Sequence, residues 1–376
     1  MFICPKCGNE DPKKIGVKNG IPYCRSCISF SGRMAEKRNF SPRNVPLHLD
    51  YDLTEDQKNI SGKVIEAYRK NQNVLIHAVC GAGKTELVFG VIAEALSEGK
   101  QVGFAVPRRD VVIDLFPRFK SAFPTADIVD VYGGHNDILE GEMILLTTHQ
   151  LFRYEDYFDL LIFDEADAFP YDGNEVLEKL FQRASRGSCV MMSATPVRDM
   201  EEKTIKSGGI VLKLQKRHHG HPLPVPKIRT LLFGQEMYLL MKMRSFYRKN
   251  LPFFVFVPTV FLCERIFRFC HRFYRKGTCV HSRCKDRSEK ISDFKNGAYL
   301  YLITTSVLER GVTIKNLQVI VLYADHGLYD EKTLVQISGR VGRKTDAWDG
   351  EVIWIGEYVS EEMEKARQAI LRANGS

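Results

Sequence analysis

A chain of 376 residues with 44% hydrophobic content has room for two core-forming domains and a small appendage. No apolar run reaches the roughly 18 residues a bilayer span requires, and the N-terminus lacks the apolar core of a secretory leader, so a reduced, cytosolic setting is the expectation. The formal charge of +8 is uneven: residues 1–45 hold nine Lys/Arg against three acids and residues 242–290 hold thirteen against three, which suggests a polyanion such as nucleic acid, a solvated lysine-rich surface being an equal reading on charge alone.

Cys4, Cys7, Cys24 and Cys27 form two Cys-x-x-Cys pairs. This spacing suits four thiolates closing a tetrahedral structural zinc site; a redox pair is the competing reading. Between the pairs, Asn19-Gly20 predicts a hairpin turn. So short a segment needs metal in place of a core. Residues 33–46, basic and proline-containing, read as a linker. Thr54 and Gln57 predict a capping box opening a helix. Gln57 lies about twenty residues before the next motif, so it either serves the cap or reads an adenine edge, and the residues leave both readings open.

That motif is the stretch His77-Ala-Val-Cys-Gly81-Ala82-Gly83-Lys84-Thr85-Glu86 between an apolar strand and a helical run. Glycines that turn backbone N–H groups toward phosphate, a lysine for the outer phosphates and a threonine for Mg²⁺ make a P-loop. Ala78 replaces the first glycine of the general pattern. Three further apolar strands end in polar residues. One runs into Pro107-Arg108-Arg109-Asp110, one into Thr147-Thr148-His149-Gln150, and one into Asp164-Glu165-Ala166-Asp167. A fourth ends at Ser193-Ala194-Thr195. This format predicts an open α/β sheet with its site along the strand ends. Asp164 suits Mg²⁺ held through water, and Glu165 suits orienting or deprotonating an attacking water.

His218, His219 and His221 stand among prolines and read as an interdomain linker, a metal site being the alternative. Strands near 253–257, 300–304 and 319–323 predict a second α/β unit without a P-loop. Its helix, residues 260–276, should bury Leu262, Ile266, Phe269 and Phe273. Cys263, Cys270, Cys279 and Cys284, with His271 and His281, match no metal spacing and read as core. Arg340 and Arg343 follow Gly339 three residues apart, one helical turn, and suit bidentate phosphate contacts in the manner of arginine fingers.

Together, residues 54–57, 78–85, 107–110, 147–150, 164–167, 193–195, 304–313 and 336–343 resemble, in order, a superfamily-two nucleic-acid helicase or translocase. With the zinc module in front, residues 77–86, 147–151, 158–165, 167–171, 308–313 and 339–343 narrow the resemblance to the ComFA family. These are the late-competence ATPases of naturally transformable Gram-positive bacteria. The resemblance implies two RecA-like parallel-sheet lobes behind a small N-terminal four-cysteine zinc module. Its expected bounds are 1–48 for the module and basic linker, 49–216 for lobe one with the P-loop, and 217–376 for linker and lobe two.

The implied activity is ATP-dependent translocation on single-stranded DNA during its uptake, with ATP, Mg²⁺ and Zn²⁺ as cofactors. Gln57 becomes the adenine reader, with Gly81, Ala82, Gly83, Lys84, Thr85, Glu86 and Gly311 around the nucleotide. Lys84, Asp164, Glu165, Arg340 and Arg343 carry catalysis. Arg108, Arg109, Thr147, Thr148 and His149, and in lobe two Thr259, His281, Ser282, Thr304 and Thr305, touch the strand. Ser193, Thr195, Glu309 and Arg310 couple ATP state to that groove. Implied partners are single-stranded DNA, other competence proteins and a membrane DNA channel. The implied location is the cytoplasm or the inner face of the cell membrane. Relatives carry further residues before the zinc module, so the chain is either truncated or short. Two other readings stand beside this one: a DEAD-type RNA helicase, which residues 164–167 favour, and a zinc-containing DNA-binding protein with a non-hydrolysing ATP site.

Overall fold

The computed structural model describes residues 2–79, 81–167, 173–194, 198–214, 217, 220–308, 314–343 and 346–375. Two compact units divide the chain, the first comprising Met1–Ala78 with Gly83–Leu214 and the second Val79–Ala82 with Gln215–Ser376.

The first unit opens with the hairpin β1 (Ile15–Lys18) and β2 (Ile21–Cys24). Asn19 and Gly20 both have positive φ, as the tight Asn-Gly turn requires. Cys4, Cys7, Cys24, Cys27 and Phe30 are buried in one cluster with Phe152, Tyr154 and Phe158. The cysteine module thus has no core of its own and joins that of the unit. The stretch read as a basic linker runs along this unit. Arg33 pairs with Glu140 and Arg43 with Glu142, so two of its charges hold the chain down.

Next come α1 (Glu55–Arg69), β3 (Val74–Ala78), α2 (Lys84–Leu87), α3 (Phe89–Ser97), β4 (Val102–Val106), α4 (Arg109–Ala122), β5 (Ile128–Val131), β6 (Met143–Thr147), β7 (Phe158–Phe163), α5 (Glu175–Ala184), β8 (Ser185–Ser193), α6 (Arg198–Lys206) and β9 (Ile210–Leu214). Strands β3 to β9 form one parallel seven-stranded sheet, ordered β5-β6-β4-β7-β8-β3-β9. The central strands β3, β4 and β6 are buried at every residue, because helices cover both faces of a parallel sheet. The P-loop strand β3 lies between β8 and β9, so the strand ends at Ala78, Phe163 and Ser193 share one edge.

The second unit contains β10 (Lys227–Thr230), α7 (Gln235–Arg248), β11 (Phe253–Phe256), α8 (Val260–His271), β12 (Gly277–Val280), α9 (Arg287–Lys295), β13 (Tyr301–Thr304), β14 (Gln318–Leu322), α10 (Glu331–Ser338), β15 (Val352–Gly356) and α11 (Glu361–Ala373). Its six strands are parallel in the order β10-β15-β14-β11-β13-β12. Helix α8 stops at His271, five residues before the predicted end. The apolar period stops with it, and Phe273 is exposed. Cys263, Ile266 and Cys270 form the buried stripe instead. Cys263 and Cys270 are therefore core residues, as the spacing predicts. Among the described residues no helix is long and apolar enough to cross a membrane.

Candidate nucleotide site, metal centre and nucleic-acid interface

The nucleotide candidate is built on the strand ends of the first unit. Gly81 and Gly83 have φ of +83° and +75°, the left-handed conformation that directs successive N–H groups toward an anion. Gly83 caps α2, and Lys84 and Thr85 occupy the first turn, where the helix dipole favours negative charge. A side chain at Gly83 would meet Gln57 Nε2 at 2.5 Å. Gln57 is thus two things at once. Its Oε1 accepts from Thr54 N at 2.9 Å to complete the capping box, and its amide nitrogen lies against the P-loop. Glu86 is buried and engaged by protein, accepting from the Tyr51 hydroxyl and pairing with Arg118. Tyr51 and Arg118 carry no motif in the sequence and were legible only through this carboxylate.

Strand β7 delivers Asp164, whose N–H donates to Ala105 O at 3.0 Å. Burial pushes the Asp164 carboxyl up to about 6, while the Lys84 ammonium draws it down. Asp164 Oδ1 accepts from Glu165 N at 2.8 Å, and Glu165 holds a φ of +60°. Asp167 and Ser193 are buried at the same sheet edge. His77, on β3 opposite Ser193, lies 2.8 Å from Glu201, and burial lowers its pKa. Within the first unit, Gly83, Lys84 and two adjacent carboxylates at the strand ends suit a polyphosphate with a divalent cation.

Of the strand-contact candidates in the first unit, Thr147 ends β6 and Thr148 opens a 3-10 segment, Thr148–Arg153. The fully buried Thr148 Oγ1 has no hydrogen-bond partner among the described residues. His149 is exposed, and its ring faces Phe30 of the cysteine module at 6.0 Å. Arg108 precedes α4, and exposed Arg109 lies 4.8 Å over the Tyr132 ring. In the second unit, Thr259 caps α8 by accepting from Leu262 N at 3.2 Å. His281 is buried beside Glu264 at 3.4 Å, and Ser282 is exposed. Thr304 and Thr305 are buried, the Thr304 hydroxyl donating to Thr305 O at 3.1 Å. Only Thr259 and Ser282 of this group reach the surface of the unit.

The two arginines are not one helical face. Helix α10 ends at Ser338, ahead of both. Arg340 is buried, whereas half-exposed Arg343 donates through Nε to Gly339 O at 3.0 Å. Arg217, in the stretch read as linker, is buried and donates to Gly339 O at 3.3 Å and Val341 O at 2.8 Å. A cation at a helix C-terminus satisfies carbonyls left without helical partners. Nothing in the sequence marks Arg217. His221 stacks on Trp348 with centroids 4.0 Å apart, which fastens the proline-rich stretch to this unit. Thr195, Glu309, Arg310, Gly311, His218 and His219 lie outside the described residues.

The four cysteine sulfurs lie within 4.8 Å of one another, and Cys7 and Cys24 are 3.8 Å apart. That matches the edge, about 3.8 Å, of a tetrahedron with metal–sulfur bonds near 2.3 Å. Burial and neighbouring sulfurs push the Cys27 thiol up, so a cation is what would hold the set as thiolates.

Comparison with known proteins agrees with this geometry. Residues 50–198 match the family described as Type III restriction enzyme, res subunit, and residues 238–345 match the Helicase conserved C-terminal domain. Competence protein ComFA of Bacillus subtilis (strain 168) is 35% identical over 99% of this chain and 86% of its own length. Competence protein ComFA of Streptococcus pneumoniae (strain ATCC BAA-255 / R6) is 30% identical over 99% of this chain and 90% of its own. Among solved structures, S. cerevisiae Dbp5 bound to RNA and ADP BeF3 superposes with a TM-score of 0.62 at 16% identity, covering 86% of this chain and 92% of that one. Mycobacterium smegmatis Lhr bound to ssDNA and AMP-PNP gives a TM-score of 0.65 at 16% identity, covering 86% of this chain and 50% of that one. At such identity these structures speak for the fold alone: two RecA-like lobes. The near full-length likeness goes further, and the chain belongs to the ComFA family of competence proteins, helicase-like ATP-hydrolysing enzymes of superfamily two.

Proposed function

We propose that the protein is an ATP-dependent translocase on single-stranded DNA that drives DNA uptake during natural transformation. The observation that carries this reading is the strand-end juxtaposition, within the first unit, of Gly83 and Lys84 with Asp164 and Glu165, in a chain of this family. Gln57 reads adenine, the N–H groups of residues 81–86 cradle phosphates, and Lys84 meets the outer ones. Mg²⁺, held by Thr85 and through water by Asp164, would neutralise developing phosphate charge. Glu165 orients the attacking water and accepts its proton. Arg340 and Arg343 stabilise the transition state, with Arg217 supporting the turn that carries them. Gly311 belongs to the nucleotide set by resemblance, and Ser193, Thr195, Glu309 and Arg310 relay ATP state to the strand.

Arg108, Arg109, Thr147, Thr148 and His149 form the strand-contact set of lobe one, with Thr259, His281, Ser282, Thr304 and Thr305 in lobe two. The unpartnered Thr148 hydroxyl supports the first group. Zinc closes the cysteine module, whose sulfur spacing suits it. We assign residues 1–48 to that module and its tether, 49–216 to lobe one and 217–376 to lobe two. The work is done in the cytoplasm, against the inner face of the membrane, with other competence proteins and a DNA channel as partners.

The test is ATPase rate with no nucleic acid, single-stranded DNA, duplex DNA and RNA. Strong stimulation by single-stranded DNA, steeply salt-dependent, supports the proposal. Stimulation chiefly by RNA would move the assignment to the DEAD-type reading that residues 164–167 favour, and no turnover under any condition would leave a binding protein.

A further inference from the structure

Hairpin β1–β2 pairs Gly16 with Tyr23. A side chain at position 16 would fall 2.5 Å from Tyr23 Cζ, so only glycine lets the ring lie over the hairpin. The ring stays half-exposed and lines an open groove of about 740 Å³ together with Lys6, Lys18, Ile21, Ile28 and Phe30. Ile21 and Ile28 are 70% and 66% exposed, leaving apolar surface beside the ring. Residues 1–31 carry five Lys/Arg against two acids. Lys6 is engaged, donating to Phe30 O, whereas Lys18 is exposed. The groove shares a wall with the strand-contact segment, because Phe30 packs on His149 at 6.0 Å and on Phe152 at 5.9 Å. Arg153 Nη1 donates to Arg33 O at 2.7 Å and Ala35 N to Arg153 O at 2.9 Å, tying module and segment together.

We infer that the hairpin face of the cysteine module is a second binding site for single-stranded nucleic acid, continuing the path that begins at Thr148 and His149. Tyr23 is the platform on which a base stacks, and the Lys18 ammonium meets a neighbouring phosphate. An open aromatic face with a cation beside it is how sequence-tolerant strand binding is built, since every base offers a π-face and every linkage a charge. Ile21 and Ile28 extend the apolar floor under the stacked base. An acidic protein partner would use the same charge, but the shared wall at Phe30 places the groove next to the strand segment. This inference rests on the strand-binding reading above.

The test uses the full-length, zinc-loaded protein and labelled oligothymidylates of increasing length, read by fluorescence anisotropy. Wild-type affinity should rise in a step once the strand is long enough to reach the hairpin. Tyr23→Ala should abolish that step, weakening long strands about tenfold, while short strands, zinc content and unstimulated ATPase stay unchanged. Lys18→Glu leaves the ring and its packing untouched and guards against a misfolded hairpin. It should lower the long-strand salt slope by about one. Variants that bind long strands like wild type, as a protein-docking face would give, overturn the inference. Equal weakening of short and long strands also overturns it, because the hairpin would then only shape lobe one. A wild type that binds no oligonucleotide refutes the parent reading as well. One that binds every length equally refutes the hairpin site alone.

Discussion

Asp164 Oδ1 accepts the backbone N–H of Glu165 at 2.8 Å while Glu165 holds the left-handed backbone, φ +60°. That conformation costs a non-glycine residue roughly 1–2 kcal/mol. Asp164 is buried at the strand end, whereas Glu165 is half-exposed.

Different roles follow for the candidate catalytic residues. Glu165→Gln keeps shape and hydrogen bonding but removes the proton acceptor, so hydrolysis should fall about 10²–10⁴-fold with nucleotide affinity nearly unchanged. Lys84→Ala should instead weaken nucleotide binding itself, since it deletes a charge that meets phosphate in the ground state. Titration with a fluorescent ATP analogue beside steady-state hydrolysis separates the two. Equal loss of binding in both variants would contradict the division of labour.

Arg343→Ala should behave like Glu165→Gln. Its Nε bond to Gly339 O is local, leaving the rest of the guanidinium for a phosphate. Arginine fingers are typically worth ~10³–10⁵ in rate, and single-turnover hydrolysis at saturating ATP is the direct reading. A normal rate in Arg343→Ala removes it from the catalytic set.

Zinc should be found at about one per chain, and Cys24→Ser should lower it, because four thiolates leave no alternative ligand. The loss should spread beyond the module. Phe30 packs on His149 and Phe152, so hydrogen exchange should quicken across residues 148–153 as well as 4–30. Metal-free protein with unchanged protection in both segments would show that zinc holds neither.

Arg43 donates through Nε and Nη2 to the two oxygens of buried Glu142, at 3.2 and 2.5 Å. Arg43 itself is partly exposed, which softens the cost of removing it. Arg43→Ala should destabilise the protein by about 1–2 kcal/mol, read as a lowered denaturation midpoint. No change would mean that the N-terminal stretch is merely laid on the unit.

Much of the fold was legible because the central strands are apolar throughout and end in polar motifs. The edge strands β5, β9, β10 and β12 were not. Short and open on one side, they interrupt their apolar residues with polar ones, as in Lys227–Thr230, and lack the longer apolar run of a covered strand. Strand β15 is apolar but ends in Gly356 with no motif to mark it. The P-loop, the Asp164–Glu165 pair and the cysteine spacing were legible because their chemistry is local in sequence. Glu86 with Tyr51 and Arg118, Phe30 with His149, and Arg217 with Gly339 and Val341 are long-range pairs that no spacing encodes. The unequal burial of Arg340 and Arg343 follows from α10 ending at Ser338, which a helical reading of Gly339-Arg340 overlooks.

The central claim is ATP-driven movement along a single strand. Displacement of streptavidin from the end of a biotinylated oligonucleotide measures it most directly. The account predicts displacement that requires ATP, occurs from one end of single-stranded DNA, and vanishes in Glu165→Gln although that variant still binds the strand. Displacement that is independent of ATP, or that Glu165→Gln performs at the wild-type rate, would contradict it.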